Sequence, residues 1–188
     1  MRVFGIDPGS VRTGYGCVET DGSHHKLISC GALSGPTDGP FPERLRAIHD
    51  QLLALLTSSA ADCVAVESLF YARNVKSALT LGHARGIVVL AVVEAGLPLA
   101  EYAPAEIKQA LVGHGRAEKS QVQHMVTLLL GLDTPPSPYD ASDALAIAIC
   151  HAHTCGGVLP VASGTRPPRS ERSWRHVSLA ALGRRQLQ

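Results

Sequence analysis

Three extended segments open the chain at hairpin spacing, and then the period of its apolar residues changes. Residues 3–7, 13–19 and 25–33 read as strands, the first two joined by the turn-forming Pro8-Gly9-Ser10. From Pro42 onward, Leu45, Ile48, Leu52, Leu55 and Leu56 recur at helical spacing. Short apolar runs then alternate with helical stretches. Residues 63–67 and 97–102 read as strands, and 74–95, 104–112, 119–130 and 140–153 as helices. A meander followed by alternating strands and helices predicts an α/β domain. Its mixed five-stranded sheet should lie between two helical layers.

The composition permits this. Of 188 residues, 45% are hydrophobic and 18% charged, which supplies a core and excludes a disordered chain, a collagen-like repeat or a coiled coil. The longest apolar run, residues 87–93, is far shorter than the about 20 residues of a membrane span. No basic segment followed by an apolar one comes after Met1. A soluble, cytoplasmic protein is expected. The five cysteines are odd in number and form no C-x-x-C pair, so they are not a disulfide framework. Cys150, His151, His153 and Cys155 crowd together, but at a spacing that fits no usual zinc pattern.

Charge is unevenly spread. Residues 1–160 hold 11 Lys/Arg against 15 Asp/Glu, whereas residues 161–188 hold six Arg against the single acid Glu171. The expected organisation is one domain over residues 1–156 and a basic, disordered tail over 157–188. Such a tail is able to neutralise phosphates.

Four carboxylates stand where chemistry could use them. Asp7 ends the first strand, Glu67 ends the fourth, and Asp140 and Asp143 lie three apart at the start of the last helix. Parallel pairing of the first and fourth strands would bring Asp7 and Glu67 to the same sheet edge, where open α/β sheets place their sites. Four gathered carboxylates repel one another and protonate unless a cation neutralises them. An all-oxygen set suits Mg²⁺ or Mn²⁺, and two ions about 3.5–4 Å apart would clamp both oxygens of a phosphodiester displacement. Singly, each acid has an ordinary use. Asp7-Pro8-Gly9 makes a turn, and Asp140 serves as an N-cap with Asp143 complementing the helix dipole.

The whole pattern resembles the RuvC family of Holliday-junction resolvases. Gly5-Ile6-Asp7-Pro8-Gly9-Ser10 with Thr13-Gly14-Tyr15-Gly16 is similar to the family's first block. Val66-Glu67 with Phe70 and Arg73-Asn74 is similar to the second, and residues 117–126 (AEKSQVQHMV) to the third. Residues 140–148 (DASDALAIA) are similar to the fourth, here with Asp140 where some members carry His. The resemblance implies an RNase H-like fold, a homodimer and an endonuclease that cuts four-way DNA junctions. It implies that Asp7, Glu67, Asp140 and Asp143 are the metal-binding tetrad and that Phe70 stacks on bases at the junction. Lys108 and Lys119 match basic residues that the family uses near the DNA. Cooperation with the RuvA–RuvB branch-migration complex is implied as well. Arg73, Lys76 and Arg85 are read as separate contacts to the DNA backbone. The apolar face of residues 74–95 is read as core or dimer interface.

Two other functions compete. An actin- or sugar-kinase-like ATPase also begins with a strand, an Asp and a Gly-rich hairpin, but it needs a second domain and a second phosphate-binding block. A non-catalytic binder of four-way junctions has no reason to crowd carboxylates against phosphates.

Overall fold

The computed structural model describes residues 1–36, 38–68 and 74–155. Phe70, Arg73 and the tail from 156 onward lie outside the described residues. The elements run β1 (Arg2–Asp7), β2 (Arg12–Thr20), β3 (His25–Ser34), α1 (Phe41–Ser58), β4 (Cys63–Glu67), α2 (Val75–Glu94), β5 (Leu99–Tyr102), α3 (Pro104–Val112), α4 (Lys119–Leu129) and α5 (Tyr139–Cys155). The five strands form one sheet in the order β3-β2-β1-β4-β5. The first three are antiparallel, whereas β1–β4 and β4–β5 are parallel.

Alternation along the strands divides the core in two. Val3, Val18, Cys63 and Ala65 face one side and pack with α3, α4 and α5. Phe4, Ile6, Cys17, Val64 and Val66 face the other side and pack with α1 and α2. Three layers result, as the alternation predicts. Differences from the expected boundaries are local. β5 begins at Leu99 rather than 97, directly after Pro98, which has no N–H to give to a ladder. α5 begins at Tyr139, so Asp140 lies inside the first helical turn and is not the N-cap.

α2 is long and apolar enough, by length and composition, to cross a membrane, with mean hydropathy 1.4 over its best window and only 22% of that window buried. It lies along the sheet instead, through Ala84, Val88, Ala91 and Val92. Val75, Leu79, Leu90 and Val93 remain exposed.

Candidate active site

Glycines set the depth at which α5 lies on the sheet. Gly5 on β1 and Gly14 and Gly16 on β2 all face it. A Cβ at Gly5 would collide with the Ala144 carbonyl, one at Gly14 with the Asp140 carbonyl, and one at Gly16 with the Leu145 side chain. With no Cβ in the way, the helix backbone rests directly on the strands. That close approach brings the first turns of α5 to the C-terminal ends of β1 and β4. The sequence reading missed this seat. Its signal was available: Gly14 and Gly16 recur with the period of a strand face, and Gly16 pairs with Gly5 in the adjacent strand.

β1 and β4 run parallel with Ile6 opposite Val66, so Asp7 and Glu67 leave the sheet side by side. Together with Asp143 they line a cleft of about 270 Å³, beside Lys108 and Lys119. Lys119 opens α4, and its Nζ donates to Asp143 Oδ2 at 2.9 Å. Asp140 stands one helical turn before Asp143, over Gly14 and hence next to Asp7, which is paired with Gly14. It contributes to the field at Asp7 but is absent from the cleft lining. Lys76, in the first turn of α2, is exposed and is not part of the cleft. Arg85 is turned inward. It pairs with Glu101 and with the backbone of Glu67, so the expected contact with DNA does not form part of this arrangement.

The electrostatics of the cleft follow from crowding. Burial, then the Glu67 and Asp143 carboxylates, push Asp7 from its ordinary 3.8 up to about 7. Glu67 is raised for the same reasons, burial first and Asp143 second, against the opposing pull of Lys119 and Lys108. The hydrogen bond to Asp143 raises Lys119. Buried like charges that raise one another are a frequent mark of a functional site.

Oxygen donors alone, at a point where negative charge is in excess, match the demand of a hard divalent cation. Among the described residues, no three acidic, His or Cys side chains converge closely enough to hold an ion by themselves. The Lys119 ammonium instead takes one oxygen of Asp143. The donor chemistry fits such an ion, with Lys119 as the group that must move aside.

Comparison with known proteins decides the family. A sequence model described as crossover junction endodeoxyribonuclease RuvC matches residues 3–151. The chain belongs to the RuvC family. RuvC proteins of Chloroflexus aurantiacus and Alkalilimnicola ehrlichii are similar to it. The first is 51% identical over 154 residues, covering 82% of this chain and 94% of the relative. The second is 55% identical over 152 residues, covering 81% and 91%. Among solved structures, Thermus thermophilus RuvC matches with a TM-score of 0.76 at 39% identity, covering 82% of this chain and 95% of that one. RuvC from T. thermophilus in complex with a Holliday junction substrate matches with 0.79 at 39% identity, covering 84% and 96%. The yeast mitochondrial Holliday junction resolvase Ydc2 shares the fold, with a TM-score of 0.57 at 14% identity. The fold is therefore the RNase H-like one of the RuvC resolvases, and RuvC nucleases are metal-dependent.

Proposed function

We propose that this chain is a crossover junction endodeoxyribonuclease that resolves Holliday junctions by symmetric, metal-dependent phosphodiester hydrolysis. The observation that carries the reading is the convergence of carboxylates from β1, β4 and α5 on one cleft flanked by two lysines. Asp7, Glu67, Asp140 and Asp143 would hold Mg²⁺ or Mn²⁺, two ions per site, and the chemistry such ions would supply is activation of water and stabilisation of the leaving 3′-oxygen.

The chain's own groups do the rest. Asp7, central among the acids, would hold the metal together with its neighbours. Lys119, with its side chain 77% exposed, leaves Asp143 and meets the scissile phosphate at the start of α4. Lys108 holds the adjoining backbone. Phe70, three residues after Glu67, is proposed to stack on or wedge apart bases, and Arg73 and Lys76 to contact flanking phosphates.

The exposed Val75, Leu79, Leu90 and Val93 of α2 support assembly with a second copy. A two-fold dimer presents two clefts to a junction that has its own two-fold symmetry. Residues 1–156 form the nuclease domain, residues 157–188 add non-specific attraction to DNA, and RuvA–RuvB is the proposed physical partner. The protein acts in the cytoplasm. The test is incubation with a labelled synthetic four-way junction and a matched linear duplex, with and without Mg²⁺. Paired nicks in the junction alone are expected. Equal cutting of both substrates would overturn the structure-selective reading.

A further inference from the structure

The cleft lies on the α5 side of the sheet, and Arg85 approaches its edge from the other side. Arg85 stands in the middle of α2. Its Nη1 donates to the carbonyl oxygen of Glu67 at 3.0 Å, and its Nη2 lies 2.6 Å from Glu101 Oε1. Glu101 pairs in register with Val66 in the sheet. The two side chains are only 20% and 22% exposed, so the ion pair is largely shielded from water.

Glu67 needs such support because it ends its strand. The pairing of β4 with β1 stops at Val66. On the β5 side the last tie is Ser68 N–H to the Tyr102 carbonyl, at 2.8 Å. A backbone carbonyl beyond a ladder needs a donor from outside the sheet. The guanidinium supplies that donor, and its planar fork engages the carbonyl and the carboxylate at once. A lysine has no fork to bridge both acceptors in this fixed geometry.

We propose that Arg85 is a positioning residue of the active site. By tying the Glu67 backbone to Glu101 and α2, it sets the direction in which the Glu67 carboxylate enters the cleft and thereby the affinity for the metal ion. The inference rests on the reading of Glu67 as a metal ligand. Partners that orient a ligand from outside commonly govern 10–100-fold in metal affinity or activity (about that range).

The experiment uses the full chain with Arg85→Ala, Arg85→Lys and Glu101→Gln, and reads Mn²⁺ binding to the protein alone by electron paramagnetic resonance. Junction affinity at several salt concentrations, single-turnover cleavage against Mg²⁺ concentration and thermal unfolding complete the set. Arg85→Ala should weaken Mn²⁺ binding about 10–100-fold and raise the Mg²⁺ needed for half-maximal cleavage in parallel. Saturating Mg²⁺ should restore most of the rate, while junction affinity and its salt dependence stay unchanged. Arg85→Lys should recover part of the loss. Glu101→Gln leaves the guanidinium in place, should shift metal binding in the same direction by less, and serves if Arg85→Ala does not fold. A weaker junction affinity with a shallower salt slope would overturn the proposal and make Arg85 a phosphate contact. Lowered thermal stability with unchanged Mn²⁺ binding in every variant would overturn it in favour of a purely structural tie. A wild-type protein that neither binds Mn²⁺ nor cuts junctions would overturn the reading of the site itself.

Discussion

The two ends of α5 treat their polar groups in opposite ways. At the N-terminal end, Asp140 and Asp143 are set down beside Asp7 and Glu67, and burial with the neighbouring carboxylates raises Asp7 and Glu67. At the C-terminal end, His151 and His153 find polar partners on the strands and on α3. Tyr102 hydroxyl lies 2.8 Å from His151 Nδ1, and Cys63 Sγ lies 3.2 Å from His151 Nε2. His153 Nδ1 lies 3.2 Å from the Ala110 carbonyl, which can only accept, so that nitrogen carries the proton. His153 Nε2 then accepts from His25 Nε2 at 3.0 Å, and His25 Nδ1 accepts from the Thr20 hydroxyl at 2.9 Å. One helix thus carries an unresolved cluster at one end and a satisfied network at the other. Satisfied groups stabilise a core; unsatisfied like charges destabilise the metal-free fold and are retained for what they bind.

The largest expected effect breaks the first end. Asp7→Asn and Glu67→Gln should each lower single-turnover cleavage by more than about 100-fold, above what outer partners of a metal usually cost. Junction affinity measured without metal should persist, since it rests on cations meeting phosphates. Near wild-type cutting by either variant would make that acid structural. The matching change at the other end is His151→Ala. It removes the imidazole contacts of Tyr102 and Cys63 and should cost about 1–3 kcal/mol of stability in urea unfolding. Cleavage by the folded fraction should survive, and its loss would mean that the network reaches the cleft.

The two ends should also respond oppositely to pH. Asp7 has a folded value of about 7 against an ordinary 3.8. The folded state therefore holds the extra proton between those values, and the stability it confers, complete below 3.8, is lost as pH rises towards 7. His25 behaves in reverse. Burial first, and His153 second, lower it from the ordinary 6.5. Its contribution is complete above 6.5 and is lost as pH falls through that value towards its lower folded one. In metal-free unfolding measured across pH 4–8 (roughly the window bounded by these values) the two contributions should oppose each other where they overlap. Asp7→Asn should make stability rise more steeply with pH below about 7, and His25→Gln should make it fall more steeply with pH below about 6.5. A change of slope in the same direction in both variants would contradict the separation of the two ends.

The smallest expected effect concerns the tie across the cleft. Lys119 has its side chain 77% exposed, so Lys119→Met should change metal-free stability by less than about 1 kcal/mol. A larger loss in urea unfolding would make the ammonium a structural clamp in place of a movable one.

Most of the layout was legible in the residues. The period-two segments became β1–β3 and the helical spacing after Pro42 became α1, because alternation and amphipathicity are local properties read along the chain. Asp7, Glu67 and Asp143 could be singled out because each ends a strand or opens a helix, and the fold brings all three to one cleft. The partners of Arg85 were not legible for a physical reason. An arginine on a helix looks alike in sequence whether it meets a phosphate or a carbonyl, and only the packing of α2 behind β4 and β5 selects the second. Asp140 was similarly ambiguous between cap and ligand until the start of α5 at Tyr139 excluded the cap.

By itself, then, the sequence determined the succession of elements, the identity of the acids and the resemblance that named their family, since these depend on residue type and spacing along one dimension. Tertiary structure alone decided how close the acids stand, which cation faces them and which holds them from behind. Those are distances between segments far apart in the chain, and they exist only once Gly5, Gly14 and Gly16 let α5 settle onto the sheet.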